Sequence, residues 1–244
     1  MKKYIIIVIF FLFTSKILFP QNWQWAKHVG STGIFGNERI SKIISVGNDF
    51  FMIGEFNENL YFPTDTLDSY GYEDIFISKF DSAGNLLWAK TIGGGNFNPI
   101  YYEYANCVYD SLSNSIYFAG RFYEEIYFGN GISLSANFTD ENLFIARMNL
   151  DGTFLWANKI TGNGNKGGAG VFSNNKNKIY LVTASDESLT FNNFQLGPGG
   201  YIAQYDTSGN CLSAQLKFTN SSRPHLNSVA ICPCYKEIIL SMVY

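Results

Sequence analysis

The chain has 244 residues, a formal net charge of −3 and 15% charged residues, against a usual share of about 25%. Aromatics make up 17%, with 22 Phe and 16 Tyr, and Gly occurs 23 times. This composition excludes intrinsic disorder, gives no electrostatic reason for a nucleic-acid or acidic-membrane partner, and points to strands and turns.

Lys2 and Lys3 precede an apolar run from Tyr4 to Phe13. About ten apolar residues behind a positive start fit a signal peptide and fall short of the roughly 20 that span a bilayer. Residues 1–21 are expected to be removed on export, with the cut between Pro20 and Trp23, leaving no stable membrane span. An uncleaved N-terminal anchor is the alternative. Export permits disulfides among Cys107, Cys211, Cys232 and Cys234. These thiols do not sit at equivalent repeat positions and lack zinc-site spacing, so free or incidentally paired cysteines are expected.

From Trp23 onward the chain repeats. Asp81-Ser82-Ala83-Gly84 leads to Trp88, Asn149-Leu150-Asp151-Gly152 to Trp156, and Asp206-Thr207-Ser208-Gly209 to Ser213, while Trp25 opens a partial copy. The interval is roughly 60 residues, the range of repeat architectures. Other landmarks keep step. Phe51–Phe56 matches Tyr117–Phe122, with a weaker copy at Tyr180–Thr183. Tyr61-Phe62, Tyr127-Phe128 and Thr190-Phe191 correspond, as do Ile75–Phe80, Leu143–Met148 and Tyr201–Tyr205. The first unit is predicted to hold four strands, near Ile40–Val46, Phe50–Phe56, Ile75–Phe80 and Leu86–Ile92, with one generous loop.

The Asp-x-x-Gly element suits a hairpin turn that starts on Asp and ends on a residue at positive φ. The following Trp supplies a large apolar plate for packing on a neighbouring unit. Together, Asp-x-x-Gly-x-x-x-Trp and Thr91-Ile92-Gly93-Gly94 resemble the bacterial β-propeller repeat called SBBP, over nearly all of residues 22–244. That resemblance implies an all-β, partial β-propeller of about three and a half four-stranded antiparallel blades. Their expected spans are 22–86, 87–154, 155–211 and an incomplete 212–244. It also implies an exported or surface protein of a Gram-negative bacterium, with no particular reaction attached. Asn149, Ser213 and Thr183 depart from the pattern and suggest degenerate later units. Ending inside the apolar run Ile238–Tyr244, the chain is expected to be a piece of a longer protein.

Several motifs carry chemistry in other settings. Gly162-Asn163-Gly164-Asn165-Lys166-Gly167 is a formal GxGxxG with Asp186 about 20 residues on, but it is expected to be an inter-unit loop followed by strand. His28 and His225 stand in no nucleophile motif. Glu73-Asp74 and Glu141-Asn142 precede equivalent strands, and Glu124-Glu125 lies in a loop; charges at such places usually keep strand edges soluble. Asp65 to Asp74 is acidic without EF-hand spacing. Asp65-Thr66, Asp81-Ser82 and Asp110-Ser111 resemble bacterial O-glycosylation sites, although turn chemistry alone explains them. No catalytic, cofactor-binding or metal residue is therefore expected.

The loops joining one unit's last strand to the next unit's first strand would line one mouth of a propeller: Gly30–Glu38, Gly93–Tyr104 and Thr161–Gly168. Phe97, Tyr101, Tyr102 and Tyr104 in the second are candidate contacts for a protein or glycan ligand. The function expected is a noncatalytic secreted or cell-surface scaffold for binding or adhesion. The alternative is a propeller-fold carbohydrate-active enzyme with part of its site on missing blades.

Overall fold

The computed structural model describes residues 25–31, 36–95, 104–137 and 141–219, together with the backbone of 225–232 and 237–243. Among the described residues every regular element is a strand. The first six are β1 (Glu38–Val46), β2 (Asp49–Phe56), β3 (Asn59–Tyr61), β4 (Thr66–Asp68), β5 (Asp74–Phe80) and β6 (Leu86–Ile92). β1, β2, β5 and β6 form a four-stranded antiparallel sheet in chain order, and β3–β4 is a hairpin inserted between its second and third strands. The plan repeats twice. The second copy is β7 (Tyr104–Asp110), β8 (Ser115–Phe122), the hairpin β9 (Glu125–Gly129) and β10 (Ile132–Ser135), β11 (Asn142–Asn149) and β12 (Phe154–Ile160). The third is β13 (Gly170–Ser173), β14 (Ile179–Ser185), the hairpin β15 (Leu189–Phe191) and β16 (Phe194–Leu196), β17 (Gly199–Tyr205) and β18 (Cys211–Phe218). A last hairpin pairs β19 (His225–Cys232) with β20 (Glu237–Val243).

The four-strand expectation for the first unit matches β1, β2, β5 and β6, but the generous loop is itself a hairpin. The sheets also divide the period differently from the sequence units. The boundaries set at 86/87, 154/155 and 211/212 fall at the head of β6, β12 and β18, each of which shares a sheet with the strand before it. The reason is local: the Asp-x-x-Gly turn is a tight hairpin, and it joins its two flanking strands.

Central strands carry continuous apolar runs because both of their faces are covered. In the first sheet Phe51, Ile53, Ile75 and Ile77 face the second sheet and meet Phe118, Phe144, Ala146 and Met148. On the other face of the second sheet, Tyr117, Ala119, Leu143 and Ile145 meet Leu181, Tyr201, Ala203 and Tyr205 of the third. The three sheets therefore stack face to face in chain order. Their first strands β1, β7 and β13 lie against one another, whereas β6 and β12 meet the next sheet through that sheet's hairpin. Gly93, just past β6, bridges Tyr127 of β9, and Thr161, just past β12, bridges Thr190 of β15. Gly30 bridges Tyr61 of β3 in the same way, so Trp25–Gly30 stands to the first sheet as β6 stands to the second.

The repeated Trp and the repeated turn form one joint between sheets. Trp25 Nε1 donates to the Ser82 carbonyl at 3.2 Å, and Trp156 Nε1 donates to the Thr207 carbonyl at 3.0 Å. Each acceptor lies in the turn of the following sheet. Lys90 Nζ and Asn158 Nδ2, two residues past their Trp, reach the carbonyls of Gly152 and Gly209 at 2.6 and 2.7 Å. At Gly209, φ is +89° and an added Cβ would lie 3.0 Å from the Trp156 indole, so both backbone and neighbour demand glycine. Asp206 Oδ1 accepts from the N–H groups of Ser208 and Asn210, both at 2.9 Å. Asn149 does not degrade its turn: its Oδ1 accepts from Thr153 N at 2.9 Å, with Asp151 Oδ1 on the same N–H. The joint at Trp88 lacks one element, since its Nε1 is buried without an acceptor among the described residues.

Candidate functional site

The turns of the joints lie at one end of the sheets. At the opposite end β2 and β8 finish, β5 and β11 begin, and charged residues gather. Glu55 and Arg121 occupy equivalent places, each one residue before the Phe that ends its strand, so like positions carry opposite charges. Glu55 is fully buried. Arg39 lies directly across the β1–β2 register and donates from Nε to Glu55 Oε2 at 3.0 Å, while the Ser41 hydroxyl donates to Oε1. Burying a carboxylate is tolerated because these donors replace its water.

In the second sheet Arg121 Nη1 donates to Glu141 Oε1 at 3.1 Å, and Lys166 N donates to Glu141 Oε2 at 3.1 Å. The Lys166 ammonium turns back onto its own loop and donates to the Gly164 carbonyl at 3.0 Å. Glu73 stands before β5 as Glu141 stands before β11. Burial raises the Glu73 carboxyl above its ordinary value and nearby Glu55 adds to this, with Arg39 and Arg121 acting in the opposite sense. A cleft of about 350 Å³ opens here, lined by Asn37, Glu38, Arg39, Glu73 and Arg121. Its wall thus combines two guanidinium donors with carboxylate acceptors.

Asp74, adjacent in sequence, does different work. Its Oδ2 accepts from the Ser69 hydroxyl at 2.8 Å, from Gly71 N at 3.2 Å and from Tyr70 N. Burial nevertheless raises its carboxyl above the ordinary value. A Cβ at Gly93 would lie 1.9 Å from Asp74 Oδ1, which accounts for glycine after the Thr91-Ile92 tail of the repeat.

Of the predicted contact residues, Phe97, Tyr101 and Tyr102 lie outside the described residues, and Tyr104 is described only as the backbone start of β7. The GxGxxG segment is a loop between β12 and strand β13, braced by Asp186. That carboxylate accepts from Asn165 N at 2.7 Å and from Asn165 Nδ2 at 2.8 Å, so no helix N-terminus follows to receive a phosphate. Along the Asp65–Asp74 stretch the carboxylates turn to separate partners: Asp65 to Thr66 N, Asp68 to Asn59 Nδ2, and Asp74 to the 69–71 loop. Among the described residues no three His, Cys, Asp or Glu side chains converge to hold a metal ion. Thr66, Ser82 and Ser111 are all exposed, and so is His28. Arg39, Glu55 and Arg121 escaped the sequence reading, because their pairing depends on cross-strand register and on the approach of two sheets.

No protein-family model matches the chain, and no curated protein matches its sequence. The functional reading therefore rests on the residues themselves.

Proposed function

We propose that the chain is a noncatalytic, exported β-propeller repeat protein of the SBBP kind. It acts as a binding or adhesion scaffold, with the strand-end face carrying Arg39, Glu73 and Arg121 as its ligand face. The observation that carries this reading is the threefold use of one building plan. Three like-built sheets stack in chain order, closest at their first strands; the first is tied to the turn of the second by Lys90, and the second to the turn of the third by Trp156. Wedge-like stacking of four-stranded antiparallel units is the geometry of a propeller blade array. Such arrays present their loops at two ends, one of which here holds a charged cleft.

A panel of glycans and surface proteins, together with a panel of polysaccharide substrates, tests the proposal on the purified chain. Saturable binding without turnover is expected. Turnover of a polysaccharide that is lost in Glu125→Gln would replace the scaffold reading with the enzyme one. Absence of any binder would remove the scaffold reading.

A further inference from the structure

We propose that the cleft between the first two sheets receives a positively charged organic group, an aliphatic ammonium or a guanidinium, on the carboxylate of Glu73. The inference rests on the strand-end face being the binding face and adds the chemistry of what binds there.

Each other charge around the cleft already has a counterpart. Arg39 meets Glu55 at 3.0 Å, and Arg121 meets Glu141 at 3.1 Å. Glu38 accepts from Ser31 N at 2.6 Å, and Asp74 is held by Ser69, Tyr70 and Gly71. Glu73 differs: among the described residues no hydrogen bond or ion pair reaches its carboxylate, although it is half-buried and lines the cleft. A carboxylate withdrawn from water without a donor is a standing cost that an incoming donor can relieve.

The sign of the donor follows from the surroundings. Among the described residues the two cations of the lining, Arg39 and Arg121, are each matched by a carboxylate behind them, Glu55 and Glu141, which leaves Glu38 and Glu73 as the uncompensated negative charges of the cleft wall. An anion would meet this field and Glu73 together. A neutral hydroxyl would gain a hydrogen bond without relieving the charge. A cation gains both, and charge-assisted bonds are about twice as strong as neutral ones. At about 350 Å³ the cleft sits at the low end of ligand pockets, suited to a side chain or a single amino sugar rather than a polymer segment. The raised Glu73 carboxyl is consistent with this assignment, since burial first, and then Glu55 and Asp74, oppose its ionisation while Arg39 and Arg121 favour it, and a bound cation would pull it down.

The test follows the Glu73 carboxyl resonance by NMR in the ¹³C-glutamate-labelled chain, assigned by its loss in Glu73→Gln, while probes are added at neutral pH. Glucosamine represents a small-molecule source and Nα-acetyl-lysine amide a partner side chain; N-acetylglucosamine and acetate are the uncharged and anionic controls. The Glu73 resonance is expected to shift saturably with at least one amine and to titrate at lower pH in its presence. Binding should weaken at least tenfold in Glu73→Gln and persist in Glu58→Gln, a change on the exposed β3 hairpin. A response to glucosamine alone supports the inference with a small-molecule source, and a response to the lysine amide alone supports it with a protein source. Silence of Glu73 toward both amines overturns it, as does equal binding by a Glu73→Gln variant with a native amide spectrum. A panel ligand that ignores Glu73→Gln would sink this inference and leave the scaffold reading standing.

Discussion

Replacing Gly209 by Ala probes the joint between the second and third sheets most sharply. Two penalties combine there. Holding an L-residue at a φ of +89° costs on the order of 1–2 kcal/mol. The new methyl would also lie 2.8 Å from Asn158 Nδ2 and 3.0 Å from the Trp156 ring, so one or both must move. Displacement puts at risk the 3.0 Å bond from Trp156 Nε1 to the Thr207 carbonyl and the 2.7 Å bond from Asn158 to the Gly209 carbonyl. Each is worth about 0.5–1.5 kcal/mol, which brings the expected loss to about 2–5 kcal/mol. Gly131 is the control: its φ is +76°, yet an added Cβ meets nothing within 4 Å, so Gly131→Ala should cost about 1–2 kcal/mol. Urea unfolding followed by circular dichroism measures both, and Trp156→Phe combined with Gly209→Ala tests their coupling. Equal losses for the two glycine variants, within about 0.5 kcal/mol, would refute the joint as a source of stability.

Burial pushes the Cys107 thiol up to about 12, so at pH 8 it should stay unmodified by thiol reagents in the folded chain and react only on unfolding. Early labelling of Cys107 would contradict its placement in the core. Desolvation draws the Asp206 carboxyl upward, but hydrogen bonds from Asn210 and from the N–H groups of Ser208 and Gly209 outweigh it and hold the group below its ordinary value. A depressed folded value contributes stability that is present above the unfolded carboxylate value of about 3.9 and lost as pH falls through the folded one. Denaturant midpoints in Asp206→Asn should therefore fall less steeply between neutral pH and about pH 2 than in the parent chain. Glu73 carries the opposite sign. Its raised value makes the ionised form unfavourable in the fold, so Glu73→Gln should raise the neutral-pH midpoint, and a lowered one would contradict its uncompensated state.

The repeat was legible because its strongest residues answer local demands. Asp81 and Gly84 are needed by one turn whatever packs around it, and Gly84 does stand at a φ of +77°. What could not be read is that the same turn receives Trp25, the plate of the preceding unit, at a place where a Cβ on Gly84 would lie 2.7 Å from the indole. The Trp25 bond to the Ser82 carbonyl in that turn joins residues 57 positions apart and leaves no local pattern. The hairpin β3–β4 was half visible: Tyr61-Phe62 and its copies stood out as landmarks, but three-residue strands are too short for periodicity to distinguish from a loop. The site was the least legible. The aromatic candidates follow from loop length and residue type alone, whereas Arg39, Glu55 and Arg121 converge through strand register and sheet stacking, which no spacing along the chain encodes.

The pairing of each Trp with the turn of the following sheet can be measured directly by NMR. Ring currents should shift the Hα resonances of Gly84, Gly152 and Gly209 upfield through Trp25, Trp88 and Trp156 respectively. Trp156→Ala should return Gly209 alone to an ordinary shift, Trp88→Ala should return Gly152 alone, and Trp25→Ala should return Gly84 alone. Unshifted glycines in the intact protein, or a Trp substitution that releases the glycine of its own sheet, would contradict the stacking of successive sheets.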